Sequence, residues 1–146
     1  MTMDQSSAPE PTDLTLSEPD RRELIGWGAD CIRRLLPVFV EHRPDDDRLT
    51  GALDAADHFR AGELTVGPMR KRAFACHAAA RDCTDLAASS VARACGQVAA
   101  IAHMGGHARS LPRYTGKALS DAALAEELEY QRGYLPDRFR SYVYGV

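Results

Sequence analysis

The sequence predicts an all-α fold, a compact single-domain bundle of five to seven helices around an alanine-rich helical hairpin. Apolar residues recur at the three- and four-residue spacing of helices, and no segment alternates with a period of two for long enough to form a sheet. Residues 69–107 consist mostly of alanine and other small side chains, which suits two closely packed helices. The length of 146 residues fits one domain.

Composition and charge narrow the classes of function. The chain is 45% hydrophobic, and its formal net charge is -3. Five acids and no Lys or Arg lie in the first twenty residues, so the remaining residues carry about +2, too weak a positive field to suggest a nucleic-acid partner. No apolar run is long enough to cross a membrane and no signal peptide is visible, so we expect a cytoplasmic protein without a membrane partner.

The cysteine pattern argues against a metal or disulfide framework. In a cytoplasmic protein the four cysteines are expected to be reduced thiols that pack as small apolar side chains. No two of them have the C-x-x-C spacing of a structural zinc site. We therefore expect neither a bound metal nor another cofactor.

The N-terminal part of the chain divides into a tail and a first helix. Residues 1–16 are polar and contain two prolines, which predicts a disordered tail ahead of an all-α domain over 17–146. Ser17 is expected to cap the first helix. Glycines flank Trp27, so another element could pack closely over this indole, which is either a core residue or a ligand contact. Pro37 is expected to kink or divide the helix.

Turn and capping signals predict the next two helices. Asp45-Asp46-Asp47 is expected to serve the free N–H groups of a helix over 48–60, and Asp46 is also a candidate ligand contact. The calcium-loop pattern is absent from this acidic run. Gly62 is expected to end the helix with a positive φ, and the third helix should span 68 to 82 or 83.

The remaining helices complete the predicted bundle. Thr84 or Asp85 should cap the second helix of the hairpin, which is expected to run to about Met104. Pro112 should interrupt the following segment and force a bent connection before 114–119. Two further helices are expected, one over 121–132 and a short one opened by Pro136.

Three histidines of the hairpin are the candidate acid–base residues. His103 and His107 stand four residues apart and can point the same way, while His77 shares a helix face with Arg81. If His77, His103 and His107 converge on a pocket, they could bind a metal or move protons; otherwise each donates to a backbone carbonyl or caps a helix end. A metal site is the weakest alternative, because the glutamate of the H-E-x-x-H motif is missing. Trp27, Asp46 and Arg81 are the candidate ligand-binding residues.

Four stretches taken together resemble a known family. They read RPDDDR at 43–48, RAFACHAAAR at 72–81, AIAHM at 100–104 and LPDRFR at 135–140. In this order they resemble the Imm-5-like family of bacterial immunity proteins over residues 22–143. The resemblance implies an all-helical fold and, from the family label, neutralisation of a partner toxin.

Two functional hypotheses follow. The first is an immunity-type binding protein that acts by binding a toxin-like protein or a ligand. The alternative is a small histidine-dependent enzyme of bacterial specialised metabolism, in which the three histidines perform acid–base catalysis in an apolar helical pocket. The expected partner is accordingly a protein or a small molecule, and the sequence leaves a homodimer open.

Overall fold

The computed structural model describes residues 8–145, which form seven α-helices and no strand. The helices are α1 Glu18–His42, α2 Arg48–Arg60, α3 Val66–Asp82, α4 Leu86–Ala100, α5 Leu111–Ala118, α6 Asp121–Tyr134 and α7 Arg140–Tyr144. Two 3₁₀ segments, Gly105–Ser110 and Asp137–Phe139, precede α5 and α7. The prediction of a single all-α bundle of five to seven helices is confirmed.

Helix α4 lies at the centre of the bundle. It packs against α1, α2, α3 and α5, and ten of its fifteen residues are buried. Such burial around most of a helix requires small side chains, and the sequence LAASSVARACGQVAA supplies them. Asp85 caps α4 by accepting a hydrogen bond from the Ala88 N–H at 2.9 Å, which decides between the two predicted caps.

The predicted hairpin is formed by α3 and α4, which run antiparallel. The Ser89 hydroxyl near the start of α4 donates to the Ala80 carbonyl near the end of α3 at 3.2 Å. Farther along, His77 of α3 faces Gly96 of α4. Going back along α3 from Ala80 to His77 therefore corresponds to going forward along α4 from Ser89 to Gly96. This is the arrangement of two antiparallel helices joined by a short turn.

A second close approach joins α1 to α4. A Cβ atom built on Gly28 would lie 2.9 Å from Cγ2 of Val98, so only glycine permits this separation. The neighbouring Trp27 is 3% exposed, and its indole N–H donates to the Gln131 carbonyl at 2.8 Å. Gly28 thus lets α4 pack against α1, while the indole fills the core toward α6.

Two prolines act differently from a helix break. Helix α1 continues past Pro37, so the predicted division of the helix is wrong; Pro37 is exposed near the helix end, where water can satisfy the carbonyl that loses its partner. Pro112 does not interrupt a segment but lies in the first turn of α5, where a missing N–H costs no helical hydrogen bond. The bent connection predicted before residue 114 is therefore wrong, because the bend precedes Leu111.

Helix α4 also ends earlier than predicted. It stops at Ala100 rather than Met104, and the N–H groups of Ile101 and His103 bond three residues back, to Val98 and Ala100. This tightening begins a turn that leads into the 3₁₀ segment. The two glycines that follow favour such a turn over further helix.

Residues 8–16, predicted as part of the tail, pack on the bundle; residues 1–7 lie outside the described range. The N–H groups of Gly105 and Gly106 donate to the Thr15 and Leu14 carbonyls at 3.0 and 2.8 Å. Leu16 is 4% exposed and fills the space beside Gly105, where a Cβ would lie 2.4 Å from Leu16 Cδ1. The packed part of the chain therefore begins before residue 17.

Two further features of the sequence have clear structural counterparts. All four cysteines are free thiols; three are buried, and burial raises the pKa of Cys31. Gly62 has φ 81° after α2, as the predicted helix end requires. In the range 8–145, no helix has the length and apolar character needed to cross a membrane.

We predict that Leu16→Ala lowers the free energy of unfolding by roughly 2–4 kcal/mol, because it removes a buried side chain and leaves a cavity. Leu14→Ala is the matched control, since Leu14 is 49% exposed in the same segment and should change stability by less than about 0.5 kcal/mol. Urea unfolding followed by circular dichroism measures both. Equal effects of the two substitutions would show that the segment is not part of the cooperative fold.

We also predict that Gly28→Ala destabilises the fold by roughly 1–3 kcal/mol through overpacking against Val98. The double variant Gly28→Ala/Val98→Ala should lose less stability than the sum of the single variants, since the shorter side chain relieves the clash. Gly116→Ala in α5 is the control, because a Cβ there meets no atom within 4 Å. Additive losses in urea unfolding would contradict the proposed contact.

Candidate functional site

A cavity of about 230 Å³ lies where α3, the end of α4 and the 3₁₀ segment 105–110 meet. Its lining residues are Arg70, Ala73, Phe74, His77, Gln97, Ala100, His103 and His107. All three candidate histidines thus line one space, although they come from three different elements. Neither Asp nor Glu is among the lining residues.

The antiparallel hairpin places His77 in this cavity. His77 lies one turn after Ala73 and Phe74 on α3, so the three residues share one side of the helix. Opposite them, Gly96 leaves room for the imidazole, since a Cβ atom there would lie 2.7 Å from His77 Nε2. The ring can therefore lie directly against the backbone of α4.

The turn after α4 brings the other two histidines together. The ring centroids of His103 and His107 are 5.3 Å apart, and the ring planes meet at 64°. The two residues were expected to be able to point the same way because they stand four apart, and they do come together, but His103 lies in the turn and His107 in the 3₁₀ segment. They approach each other because the chain folds back, not because a helix continues.

Gln97 fixes the tautomer of His107, that is, which ring nitrogen carries the proton. Its Oε1 atom accepts a hydrogen bond from the Ser110 hydroxyl at 3.2 Å and lies 2.9 Å from His107 Nδ1. Because an amide oxygen only accepts, Nδ1 carries the proton and Nε2 of the neutral ring is the unprotonated nitrogen. The ring thereby keeps one lone pair that this contact does not use.

The imidazole of His103 has an unsatisfied polar atom. Its Nδ1 atom is buried and forms no hydrogen bond with any described residue. Leaving a buried polar atom without a partner costs roughly 1–3 kcal/mol, so native proteins rarely do so without a reason. Because Nδ1 is closed to the cavity as well, only the other ring nitrogen of His103, Nε2, could contact a ligand there.

Burial keeps the three histidines neutral, and nearby arginines add to its effect on two of them. Burial is the main cause that lowers the pKa of His77, His103 and His107. Arg93 and Arg81 also lower the pKa of His77, Arg70 and Arg21 lower that of His103, and a proton on His107 would lower both further. His77 and His103 are therefore uncharged near neutral pH and lie in a positive potential, while burial alone keeps His107 uncharged.

Three cations beside this cavity have no acidic partner among residues 8–145. Arg70 and Arg81 of α3 and Arg93 of α4 form neither an ion pair nor a hydrogen bond in that range, whereas Arg48 bonds both Asp46 and Asp82. Arg70, Phe74, His77 and Arg81 recur at intervals of four, three and four residues on one face of α3. We call this face the α3 stripe.

The other predicted ligand residues lie apart from the histidines or only beside them. Trp27 is in the core, and its N–H is already bonded to Gln131. The Asp46 carboxylate accepts from the Arg48 guanidinium at 2.9 and 2.7 Å, and this bonding is the main cause that lowers the pKa of Asp46. Arg81 is exposed on the α3 stripe and does not line the cavity.

Five residues that line the cavity were not predicted as site residues: Arg70, Ala73, Phe74, Gln97 and Ala100. Phe74 is 70% exposed, which is unusual for a large aromatic side chain, and its position three residues before His77 was the available signal. Gln97 lies six residues before His103 and comes near it only through the turn after Ala100. Within 8–145, no three His, Cys, Asp or Glu residues are placed to hold a metal ion.

Comparison with known proteins gives one match. The family model described as Imm-5 like putative immunity protein matches residues 14–138. This range includes the N-terminal segment at Leu16, the α3 stripe and every residue that lines the cavity. No curated protein and no solved structure matches the chain significantly.

We predict that the protein loses stability when the pH falls from about 7.5 to about 5.5. The pKa values of the three cavity histidines are lowered below their unfolded value of about 6.5, so the unfolded chain takes up protons more readily. Their contribution is present above that value and is lost as the pH falls toward the folded pKa. Thermal melts across this range should show a falling Tm.

Substitution identifies the groups responsible for this pH dependence. His103→Gln should make the fall in Tm smaller, because one of the three neutral rings is gone. His58→Gln should leave the fall at least as large, since His58 is exposed and pairs with Glu63 outside the cavity. A Tm that rises on acidification, or a fall that His103→Gln does not reduce, would contradict the assignment.

Proposed function

Because the chain belongs to the Imm-5 like putative immunity protein family, we propose that it is an immunity-type binding protein that neutralises a toxin-like protein by binding it. The family match over residues 14–138 carries this proposal. Neutralisation by binding requires a surface that a partner can cover and that the fold itself does not use. The cavity mouth and the exposed residues of the α3 stripe, Arg70, Phe74 and Arg81, have these properties.

Phe74 is the proposed anchor of the interface. Its side chain is 70% exposed, next to a cavity, and large aromatic and Arg side chains commonly contribute most of the energy of protein interfaces. Burying this ring under a partner would remove apolar surface from water without repacking the domain. Phe74 therefore contributes more to binding than to folding.

Charge indicates the chemistry of the partner surface. Arg70 and Arg81 flank Phe74 on the α3 stripe, and neither has an acidic partner among residues 8–145. A surface of unpaired cations around an aromatic anchor complements an acidic surface with an apolar centre. Such pairing accelerates association and selects against basic partners.

The enzyme hypothesis gains no comparable support. The family description names an immunity protein and no enzyme, and the residues that line the cavity include no Asp, Glu, Ser or Cys that could work with an imidazole as acid, base or nucleophile. Convergence of His77, His103 and His107 suits a ligand contact as well as catalysis. We therefore assign these histidines to binding.

Co-expression tests the proposed function. In a heterologous bacterial host, the products of genes adjacent to this one should include a protein that stops growth, and co-expression of this chain should restore growth. Phe74→Ser should weaken the measured affinity for that protein by roughly thirtyfold, the effect of about 2 kcal/mol at an interface hot spot. Circular dichroism would show that the variant is folded.

The matched control is Leu86→Ser. Leu86 is 71% exposed, almost the same as Phe74, but it begins α4 at the opposite end of the hairpin. The control should keep the affinity of the wild type. If Phe74→Ser and the wild type bind with equal affinity, the α3 stripe is not the interface. If the chain protects against none of the products of adjacent genes, the immunity function is excluded.

A further inference from the structure

We propose that the histidine cavity binds a small carboxylate with an apolar body, held by Arg70 and the cavity imidazoles. The proposal goes beyond the immunity function and rests on the lining of the cavity and on the charges around it. Four observations support it: the volume of the cavity, the charge around it, the polar groups of its lining and its apolar wall. The volume, the charge and the apolar wall each exclude a different class of occupant.

The volume limits the size of the ligand. A cavity of about 230 Å³ is smaller than the roughly 300–1,000 Å³ of pockets that hold drug-sized molecules. A nucleotide or a folded peptide segment is too large for such a space. A single ring that bears one polar group is of suitable size.

The charge around the cavity selects an anion. The cations that face it or act on its histidines come from three helices, Arg21 of α1, Arg70 and Arg81 of α3, and Arg93 of α4. No carboxylate lines the cavity to neutralise them. An anionic group would therefore enter a positive potential, while a cation would be repelled.

The polar groups suit a carboxylate in particular. Arg70 offers a planar guanidinium, whose geometry matches the two oxygens of a carboxylate. His103 also lines the cavity, and its Nε2 atom, unlike the buried Nδ1, can donate to an oxygen when it carries a proton. His107 Nδ1 is already bonded to Gln97, so this ring is restricted to contacts through Nε2.

The remaining wall is apolar. Ala73, Ala100 and the Phe74 ring line the cavity beside the polar groups. A phosphate, which is strongly hydrated on all sides, would leave oxygens against this wall without hydrogen-bond partners. A carboxylate attached to an apolar body places its charge near Arg70 and its hydrocarbon against the alanines.

Binding should be linked to protonation. An anion beside His77, His103 and His107 favours their charged forms, which burial otherwise disfavours in all three rings and nearby arginines disfavour in His77 and His103. The complex therefore takes up protons as the pH falls toward the ordinary histidine range. If one proton is bound with each ligand, the affinity rises by up to about tenfold per pH unit.

Calorimetric titration of the full chain with benzoate tests the proposal. At constant ionic strength, benzoate should bind to one site, with an affinity that rises from about pH 7.5 to about pH 6. Benzamide, which has the same shape without the charge, should not bind. In NMR spectra, benzoate should shift the imidazole signals of the cavity histidines and leave those of the exposed His58 unchanged.

Two arginine variants on α3 make the test specific. Arg70→Gln should weaken benzoate binding at least tenfold. Arg72→Gln removes the same charge from the same helix but should not alter binding, because Arg72 extends toward Gly51 of α2, where its Nη1 lies 2.6 Å from a Cβ built on that glycine. Circular dichroism and Tm would show that both variants keep the fold.

The outcomes are separable from those of the immunity test. No saturable binding of benzoate at millimolar concentration, equal binding of benzamide, or equal losses in Arg70→Gln and Arg72→Gln would overturn the carboxylate site. A chain that binds benzoate but protects against no adjacent product keeps this site and loses the immunity function. A chain that protects against an adjacent product but does not bind benzoate keeps the immunity function and loses the carboxylate site.

Discussion

The close approach of neighbouring helices to α4 is the constraint on which the other features depend. Two contacts show how close it is: a Cβ on Gly28 would meet Val98, and a Cβ on Gly96 would meet His77. A helix made mostly of alanine, serine, cysteine and glycine can be surrounded on most sides because its neighbours pack near its backbone. The dispersion attraction between these closely packed atoms then makes up for the smaller apolar area that short side chains bury.

The same constraint explains why a cavity forms at one end of the hairpin. Small side chains keep α3 and α4 together along their length, but α4 stops at Ala100, while α3 extends back past Arg70. The chain then turns, and the carbonyls of Thr15 and Leu14 in the N-terminal segment accept hydrogen bonds from the N–H groups of Gly105 and Gly106. The space left between α3 and this turn is bounded by His103 and His107 on one side and by His77 on the other.

The imidazole of His103 is costly for folding alone. Its buried Nδ1 bonds no described residue, an arrangement that stability by itself does not favour. Arg70 and Arg81 form no ion pair among residues 8–145, whereas Asp46 pairs with Arg48 and Arg43, and Arg34 pairs with Glu127. Exposed cations without an ion pair cost little stability, so Arg70 and Arg81 remain available to a partner, while Asp46 is used by the fold.

The sequence by itself determined the fold class, the helix positions and much of the capping, because these depend on local spacing and on residues such as Ser17, Asp85 and Gly62. It also identified His77, His103 and His107, since histidines within an alanine-rich stretch stand out from their neighbours. Only the tertiary structure decided that α4 ends at Ala100, that Leu16 belongs to the core, and that Trp27 and Asp46 are occupied by internal contacts. It also added Phe74 and Gln97 to the cavity. These features depend on the register of α3 against α4 and on a turn closed by a distant segment, and neither is encoded in the spacing of nearby residues.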